Sequence, residues 1–197
     1  MNTEVYIHPA AIVDPDVQVG ARSRIWAFAH LLSGAIVGED CNICDHTFIE
    51  GGVRLGDRVT VKCGVYLWKG IIAESDVFIG PAAVFTNDPR PRSQRHLHAH
   101  PETLLQVGCS IGAGAIILPG LVIGRYSMVG AGAVVTRNVP DHGLVYGNPA
   151  ELRGWICACG ANLSGESGKV TKCECGRSLL LPSTPNKEKS NCQDGVV

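Results

Sequence analysis

From Ile7 to Phe85 an apolar residue falls at every sixth position: Ile7, Val13, Val19, Ile25, Leu31, Val37, Ile43, Ile49, Leu55, Val61, Leu67, Ala73, Ile79 and Phe85. In a chain that is 45% apolar, template counting gives such a run by chance about once in ten thousand. A second, mostly small series follows four residues behind each member, among them Ala11, Ser23, Ala29, Ala35, Cys41, Thr47, Val53 and Ala83. Neither a helix nor an alternating strand has a period of six. A triangular solenoid does, each side being a short strand and each corner a turn. Three columns spaced by eighteen residues fix three hexapeptides per coil: Gly20, Gly38, Gly56; Gly34, Gly52, Gly70; and Arg22, Asp40, Arg58, Asp76. The glycine columns and the charged column are expected at the corners, and glycine suits a corner because it takes positive φ without a Cβ clash.

The register breaks after Phe85. Residues 86–103 carry three prolines, Arg90, Arg92, Arg95 and His96, His98, His100, with no apolar column. The repeat resumes out of phase at Leu105, Ile111, Ile117, Ile123, Val129 and Val135, so the stretch is an external loop, spanning 86–104. Long loops of this kind are disproportionately functional. Val139-Pro140 is expected to end the solenoid, because proline cannot donate into a central ladder. The chain then divides into 1–155, a Cys-rich appendage 156–180, and a polar tail 181–197 that is expected to be disordered.

A net charge of −1 excludes a general attraction for nucleic acid or membranes. Nine cysteines without a secretory signal point to a reducing compartment, so cytoplasmic localisation is expected. Cys157-Ala-Cys159-Gly and Cys173-Glu-Cys175-Gly are two knuckles suited to a structural Cys₄ Zn²⁺ site, or else a set of free thiols. Cys41 and Cys109 fall in the small inward column and read as core.

Several stretches carry a resemblance: Ile25-Trp26 with His30, Phe48-Ile49-Glu50, Val61-Lys62, Val77 to Pro81, Val84-Phe-Thr-Asn87, Pro91-Arg-Ser93, Ile123 to Val134, and Gly147-Asn-Pro-Ala150. Together they resemble the left-handed β-helix nucleotide-sugar N-acetyltransferases of bacteria, typified by the enzyme acting on UDP-2-acetamido-3-amino-2,3-dideoxy-glucuronate. The resemblance implies a left-handed β-helix and a homotrimer with acetyl-CoA lying between neighbouring coils. It also implies transfer of acetyl to the amine of a UDP- or dTDP-linked amino sugar for surface-polysaccharide synthesis.

It places Asn87 as the residue that positions substrate, where spacing alone reads a turn residue. Glu50 and Lys62, otherwise solvated charges, would meet the sugar, with Asp88 in the loop part that varies with the sugar and Arg92 set for a nucleotide phosphate. Gly130, Ala131, Gly132, Arg137, Asn148 and Pro149 resemble the segment along which acetyl-CoA lies. An amine attacks a thioester only when neutral, and no histidine here has a sequence-evident carboxylate partner. Positioning by Asn87 is therefore expected to dominate, with His46 or Glu50 as fallback base. Two other readings are open on the residues: a γ-carbonic-anhydrase-like zinc enzyme using His96, His98 and His100, and a non-catalytic scaffold.

Overall fold

The computed structural model describes residues 4–95 and 97–183. Described strands stack into three parallel faces of a solenoid. Face 1 is built from Tyr6–Ile7, Arg24–Ile25, Asn42–Ile43, Thr60–Val61, Phe78–Ile79, Ser110–Ile111 and Met128–Val129, and Gly143–Gly147 adds to it in parallel. Face 2 runs from Ile12–Val13 through His30–Leu31, Phe48–Ile49, Tyr66–Leu67 and Val84–Phe85 to Ile116–Ile117 and Val134–Val135. Face 3 contains Gln18–Val19, Ile36–Val37, Arg54–Leu55, Ile71–Ala73, Thr103–Leu105 and Val122–Ile123. No helix occurs among the described residues. This is the all-β architecture expected of a left-handed hexapeptide β-helix, and register pairs such as Thr60↔Asn42 and Tyr66↔Phe48 carry the eighteen-residue coil.

Both inward series form one core. Ile25, Leu31, Ile43, Ile49, Leu67 and Ile79 are fully buried, and the small column fills the corners between them. Small polar members of that column bond to the backbone instead of to water. Ser23 Oγ donates to Gly38 O at 2.7 Å, Thr47 Oγ1 to Cys44 O at 2.7 Å and Ser127 Oγ to Gly124 O at 2.6 Å. No buried side-chain polar atom among the described residues lacks a partner. Cys41 and Cys109 are core, as their column predicts.

The corners divide their labour differently from the expectation. Gly34, Gly52 and Gly70 do take positive φ, at 85°, 90° and 98°. Gly20, Gly38 and Gly56 do not. They lie where a Cβ would strike the next coil, as at Gly20, 2.5 Å from Gly38 C. The left-handed corner beside them is occupied by the charged column, with φ of 62° at Arg22, 55° at Asp40, 57° at Arg58 and 64° at Asp76. A non-glycine residue there costs about 1–2 kcal/mol. The column meets that cost partly by pairing between coils: Arg22 bonds Asp40 and Glu39 at 2.7 Å, and Arg58 bonds Asp76 at 2.6 Å. The guanidinium hydrogen bonds hold the Asp40 and Asp76 carboxyls below the usual carboxylate range. Solvent screens both pairs, so they add modestly.

Ile72 pairs with Leu104, thirty-two positions on, where it pairs with Arg54 eighteen positions back. The inserted loop thus leaves the corner between faces 2 and 3 and the coil resumes without a break in stacking. Val139-Pro140 does not stop the stacking: Val139 bridges Ile123, and Leu144 and Val145 pair in parallel with Met128 and Val129. The missing proline donor matters little because Pro140 sits in the turn before that last strand. Ala150–Ile156 then turns back antiparallel on Gly143–Gly147 and hands the chain to Asn162–Leu163.

A second, smaller core of Trp155, Cys157, Leu163, Cys173 and Leu181 belongs to the C-terminal ribbon, completed by the hairpin Val170–Lys172 and Ser178–Leu180. Leu181, expected to open a disordered tail, is buried there and is held by backbone bonds to Lys169 and Gly168. Its apolar side chain belongs to the core, not to the polar segment after it. The rest of the tail, from 184, lies outside the described residues.

Candidate active site

The corner between faces 2 and 3 stacks Ser33, Gly51, Lys69 and Asn87 at eighteen-residue intervals. Asn87 is the last of that column before the inserted loop, after which Pro119 and Arg137 take the same corner. Its Nδ2 donates to Lys69 O at 3.2 Å, and Lys69 N donates to Glu50 Oε2 at 2.7 Å. His100, returning from the far side of the loop, approaches Asn87 O through Nδ1 at 3.3 Å. One chain of hydrogen bonds thus joins Glu50, Lys69, Asn87 and His100 across three levels of the solenoid. Glu50 is committed to bracing the corner, with its carboxylate on a backbone N–H. His100 was not singled out for this place by sequence, because only pairing across the loop brings it back to Asn87.

His46 is on the other edge of face 2, at the corner with face 1, where it takes a left-handed φ of 57°. Its ring stacks on Phe28 at 4.9 Å and 15°. The three residues expected to carry catalysis are therefore split: Asn87 and Glu50 share an edge, and His46 faces them across the sheet. Lys62 follows Val61 on face 1, half-buried. In the loop, Asp88 Oδ1 accepts Arg90 N at 2.8 Å and Arg92 Nη1 donates to Pro91 O at 2.8 Å, with the Arg92 side chain exposed.

Between the two edges, face 2 carries a cleft of about 360 Å³ lined by Phe28, His30, His46, Phe48, Tyr66 and Trp68 with Thr47. The rings touch in series: His30 on Phe48 at 5.7 Å, Phe48 on Tyr66 at 6.1 Å and Phe48 on Trp68 at 5.4 Å. Inward spacing does not reveal this cleft, although its outward residues His30, Phe48 and Tyr66 are eighteen apart. A larger concavity of about 1130 Å³ lies on face 1 against Arg22, Arg24, Trp26, Asn42 and Cys44. It shares no residue with the Asn87 edge, whereas Trp68 of the smaller cleft directly precedes Lys69 on that edge.

Of the residues expected to hold acetyl-CoA, Gly130 to Gly132 follow the late face 1 strand at its corner with face 2, and Asn148-Pro149, joined by a cis bond, turn at the same edge one level on. Gly130 is a packing glycine, since a Cβ there would stand 2.7 Å from Tyr146 Cβ. Gly132 has φ of 67° and open space around it, as have Gly64 and Gly114 in the same column. Arg137 is exposed beyond the face 2 strand Val134–Val135, on the Asn87 edge, apart from the others.

The ribbon brings Cys157, Cys159, Cys173 and Cys175 together with all four sulfurs within 4.8 Å of one another. Sulfurs cross between the knuckles, Cys157 to Cys175 at 3.7 Å and Cys159 to Cys173 at 3.6 Å. The two knuckles repeat each other: Gly160 N bonds Cys157 O, Gly176 N bonds Cys173 O, and the glycines have φ of 89° and 88°. Backbone N–H groups from Cys159 and Arg177 hold the Cys157 and Cys175 thiols down, Cys175 to about 6. Around a tetrahedral Zn²⁺ with bonds of about 2.3 Å, sulfurs stand about 3.8 Å apart, so the four cysteines fit a metal ion. Among the described residues this is the one group of His, Cys, Asp and Glu at metal-holding distances; His96 lies outside them.

Comparison with known proteins follows the same lines. The profile described as bacterial transferase hexapeptide (six repeats) matches residues 108–137, and the hexapeptide repeat of succinyl-transferase matches residues 34–69. The chain is 48% identical over 172 residues to a dTDP-3-amino-3,6-dideoxy-alpha-D-galactopyranose 3-N-acetyltransferase from Aneurinibacillus thermoaerophilus, covering 87% of this chain and 88% of that one. A 53-residue stretch is 43% identical to an acyl-[acyl-carrier-protein]–UDP-N-acetylglucosamine O-acyltransferase from Brucella ovis, 27% of this chain and 19% of the relative. Among solved structures, the acetyltransferase domain of PglB from Neisseria gonorrhoeae in complex with acetyl coenzyme A is similar at 25% identity and a TM-score of 0.45. That match covers 77% of this chain and 58% of the other.

Proposed function

The chain belongs to the hexapeptide-repeat transferases, and from that premise we propose that it moves acetyl from acetyl-CoA to the 3-amino group of a dTDP-linked 3-amino-3,6-dideoxyhexose. The observation that carries the acceptor is the 48% identity, over 87% of the chain, with an enzyme named for that sugar. Of the two nucleotides open on sequence, that favours dTDP over UDP.

In the proposed reaction the neutral amine attacks the thioester carbonyl, the N–C bond forms, and the C–S bond breaks as the tetrahedral intermediate collapses. The amine's proton goes to the departing thiolate, giving free CoA and the acetamido sugar. Asn87 supplies position. Its Nδ2 is anchored on Lys69 O, which leaves its side-chain carbonyl to accept from the amine and aim the nitrogen. Holding two reactants in attack geometry can supply several kcal/mol. Lys62, Asp88 and Arg92 are assigned to the sugar and phosphates. The edge that Gly132 leaves open, with Asn148-Pro149, is assigned to the pantetheine arm, and Arg137 to a CoA phosphate.

The solenoid, residues 1–155, carries this chemistry, and the ribbon, 156–180, is stapled by one Zn²⁺ on Cys157, Cys159, Cys173 and Cys175. Bound there, the metal would crosslink two hairpins that share only a small core. A homotrimer is supported by the apolar side chains that face 2 leaves uncovered above and below the cleft, Ile12 and Val84. No described helix is long and apolar enough to cross a membrane, and free thiols suit the cytoplasm. There the product would serve as a glycosyl donor for surface polysaccharide.

The test is direct: purified protein with acetyl-CoA and dTDP-3-amino-3,6-dideoxygalactose should release CoA and yield a sugar one acetyl group heavier. No product with that sugar or its dTDP-linked 3-amino epimers would overturn the acceptor assignment.

A further inference from the structure

Phe28 puts a large ring at a left-handed corner. Its φ is 59°, and on the same edge the later coils put Gly64, Ala82, Gly114 and Gly132 at that left-handed position. A bulky side chain there is strained, and such strain concentrates at ligand sites; Tyr126 repeats it at 53° against His142 in another corner, but there the ring is half-buried. The ring is not buried for its trouble, since Phe28 is 60% exposed. His46, one coil on, repeats the strain at 57° and stacks flat against it. Of the chain's four Phe, three Trp and four Tyr, four residues line this one cleft: Phe28, Phe48, Tyr66 and Trp68.

We infer that the cleft is a nucleobase subsite, taking the planar pyrimidine of the nucleotide-linked acceptor in a stack beside Phe28 and His46. The inference rests on the acceptor reading above and adds to it where the nucleotide's base end lies. Its size falls at the low end of small-ligand clefts. No lysine or arginine lines it, so it suits the neutral base and not the diphosphate. The imidazoles of His30 and His46 and the Tyr66 hydroxyl, none with a hydrogen bond inside the described chain, can meet the pyrimidine's carbonyl and N–H edge. The far wall also leads to the reaction: Trp68 precedes Lys69, whose carbonyl holds Asn87. From a base stacked beside Phe28 and His46 the diphosphate and sugar would cross face 2 past Trp68 and advance two coils beyond His46, about 10 Å, to reach the Asn87 edge.

Adenine of CoA offers the same stacking chemistry, and a second copy of the chain could cover the same rings, so the test separates all three. Trp68 lies in the cleft, whereas Trp26 and Trp155 are elsewhere. Addition of dTDP should quench the intrinsic fluorescence, and Trp68→Phe should remove that response. Loss of a stacked ring weakens base binding roughly tenfold or more, so Phe28→Gly, which suits the corner, and Tyr66→Ala should each raise the dTDP Kd by at least that factor by calorimetry. CoA affinity and the mass by light scattering should stay as in the wild type. An unchanged dTDP Kd in both variants overturns the inference. So does weakened CoA binding, which would assign adenine, or dissociation to monomers, which would assign a subunit interface. Unaltered dTDP binding in variants of an enzyme that acetylates the amino sugar defeats the subsite alone. Ring-dependent dTDP binding in a protein inert toward that sugar upholds the subsite and defeats the acceptor.

Discussion

A methyl group on Gly38 would stand 2.5 Å from the carbonyl carbon of Gly56, one coil on. Two glycines stacked this way let successive coils meet backbone to backbone. Gly38→Ala should therefore force the coils apart, and overpacking against an unyielding backbone costs about 1–3 kcal/mol or more. Gly64→Ala is the control: φ is 71° but nothing lies within 4 Å, so only the left-handed penalty of about 1–2 kcal/mol applies. Urea midpoints should fall further for Gly38→Ala. The reverse order would mean that conformation, not contact, selects these glycines.

Spacing encodes some of these features and not others. Period six, the coil of eighteen and the phase shift between Phe85 and Leu105 were all legible, because buried side chains obey spacing. Which glycine needs positive φ and which needs nearness was not, since both recur at eighteen. Nor was it legible that Arg22 and Asp40 would hold the left-handed corner. At the site, Asn87 was singled out at the start of the loop, where the structure puts it. Its links to Lys69 and His100 depend on how that loop folds back, and no spacing encodes that. The aromatic cleft was readable in principle, but only by aligning outward residues that burial does not constrain.

Within one two-residue strand, Ile49 points in and Phe48 out. Ile49 is fully buried, so Ile49→Ala should cost about 2–5 kcal/mol through lost transfer energy and a cavity. Phe48→Ala leaves the core filled and should cost markedly less by the same denaturation measurement. Equal losses would contradict the inward assignment of the repeat.

Burial pushes the Cys109 thiol up to about 12, while Cys63 is exposed. The thiolate is the reactive form. At pH 8.5, iodoacetamide should therefore label Cys63 readily and Cys109 only after unfolding, as read by peptide mass spectrometry. The sign for stability follows: the unfolded chain gives up the Cys109 proton first, so raising pH from about 8.5 toward the folded value favours unfolding. Rapid native labelling of Cys109 would show that the core column opens.

Purified protein should carry about one Zn²⁺ per chain by elemental analysis, and Cys173→Ser/Cys175→Ser should lose it. The ribbon core and the solenoid core are separate clusters. The β-sheet circular dichroism of the solenoid should therefore persist, while the ribbon becomes sensitive to protease after about residue 155. Equal zinc in both proteins would remove the metal from the ribbon.

Asn87 and His46 stand on opposite edges of face 2, and this separation makes the mechanism testable. If Asn87 aims the amine, Asn87→Ala should lower kcat/KM by roughly a hundredfold, on the scale of a misoriented reactant, with acetyl-CoA affinity unchanged by calorimetry. Asn87→Asp keeps the side-chain oxygen but loses the Nδ2 donor to Lys69 O, so it should recover little. Glu50→Gln still offers an oxygen to Lys69 N and should keep most activity. A general base would reverse the ranking. His46→Ala would then abolish turnover at neutral pH, while Asn87→Ala would be nearly silent. The expected result is the first pattern, with His46→Ala showing itself mainly as a raised KM for the nucleotide sugar, because its ring wall, not its proton, is what the cleft uses.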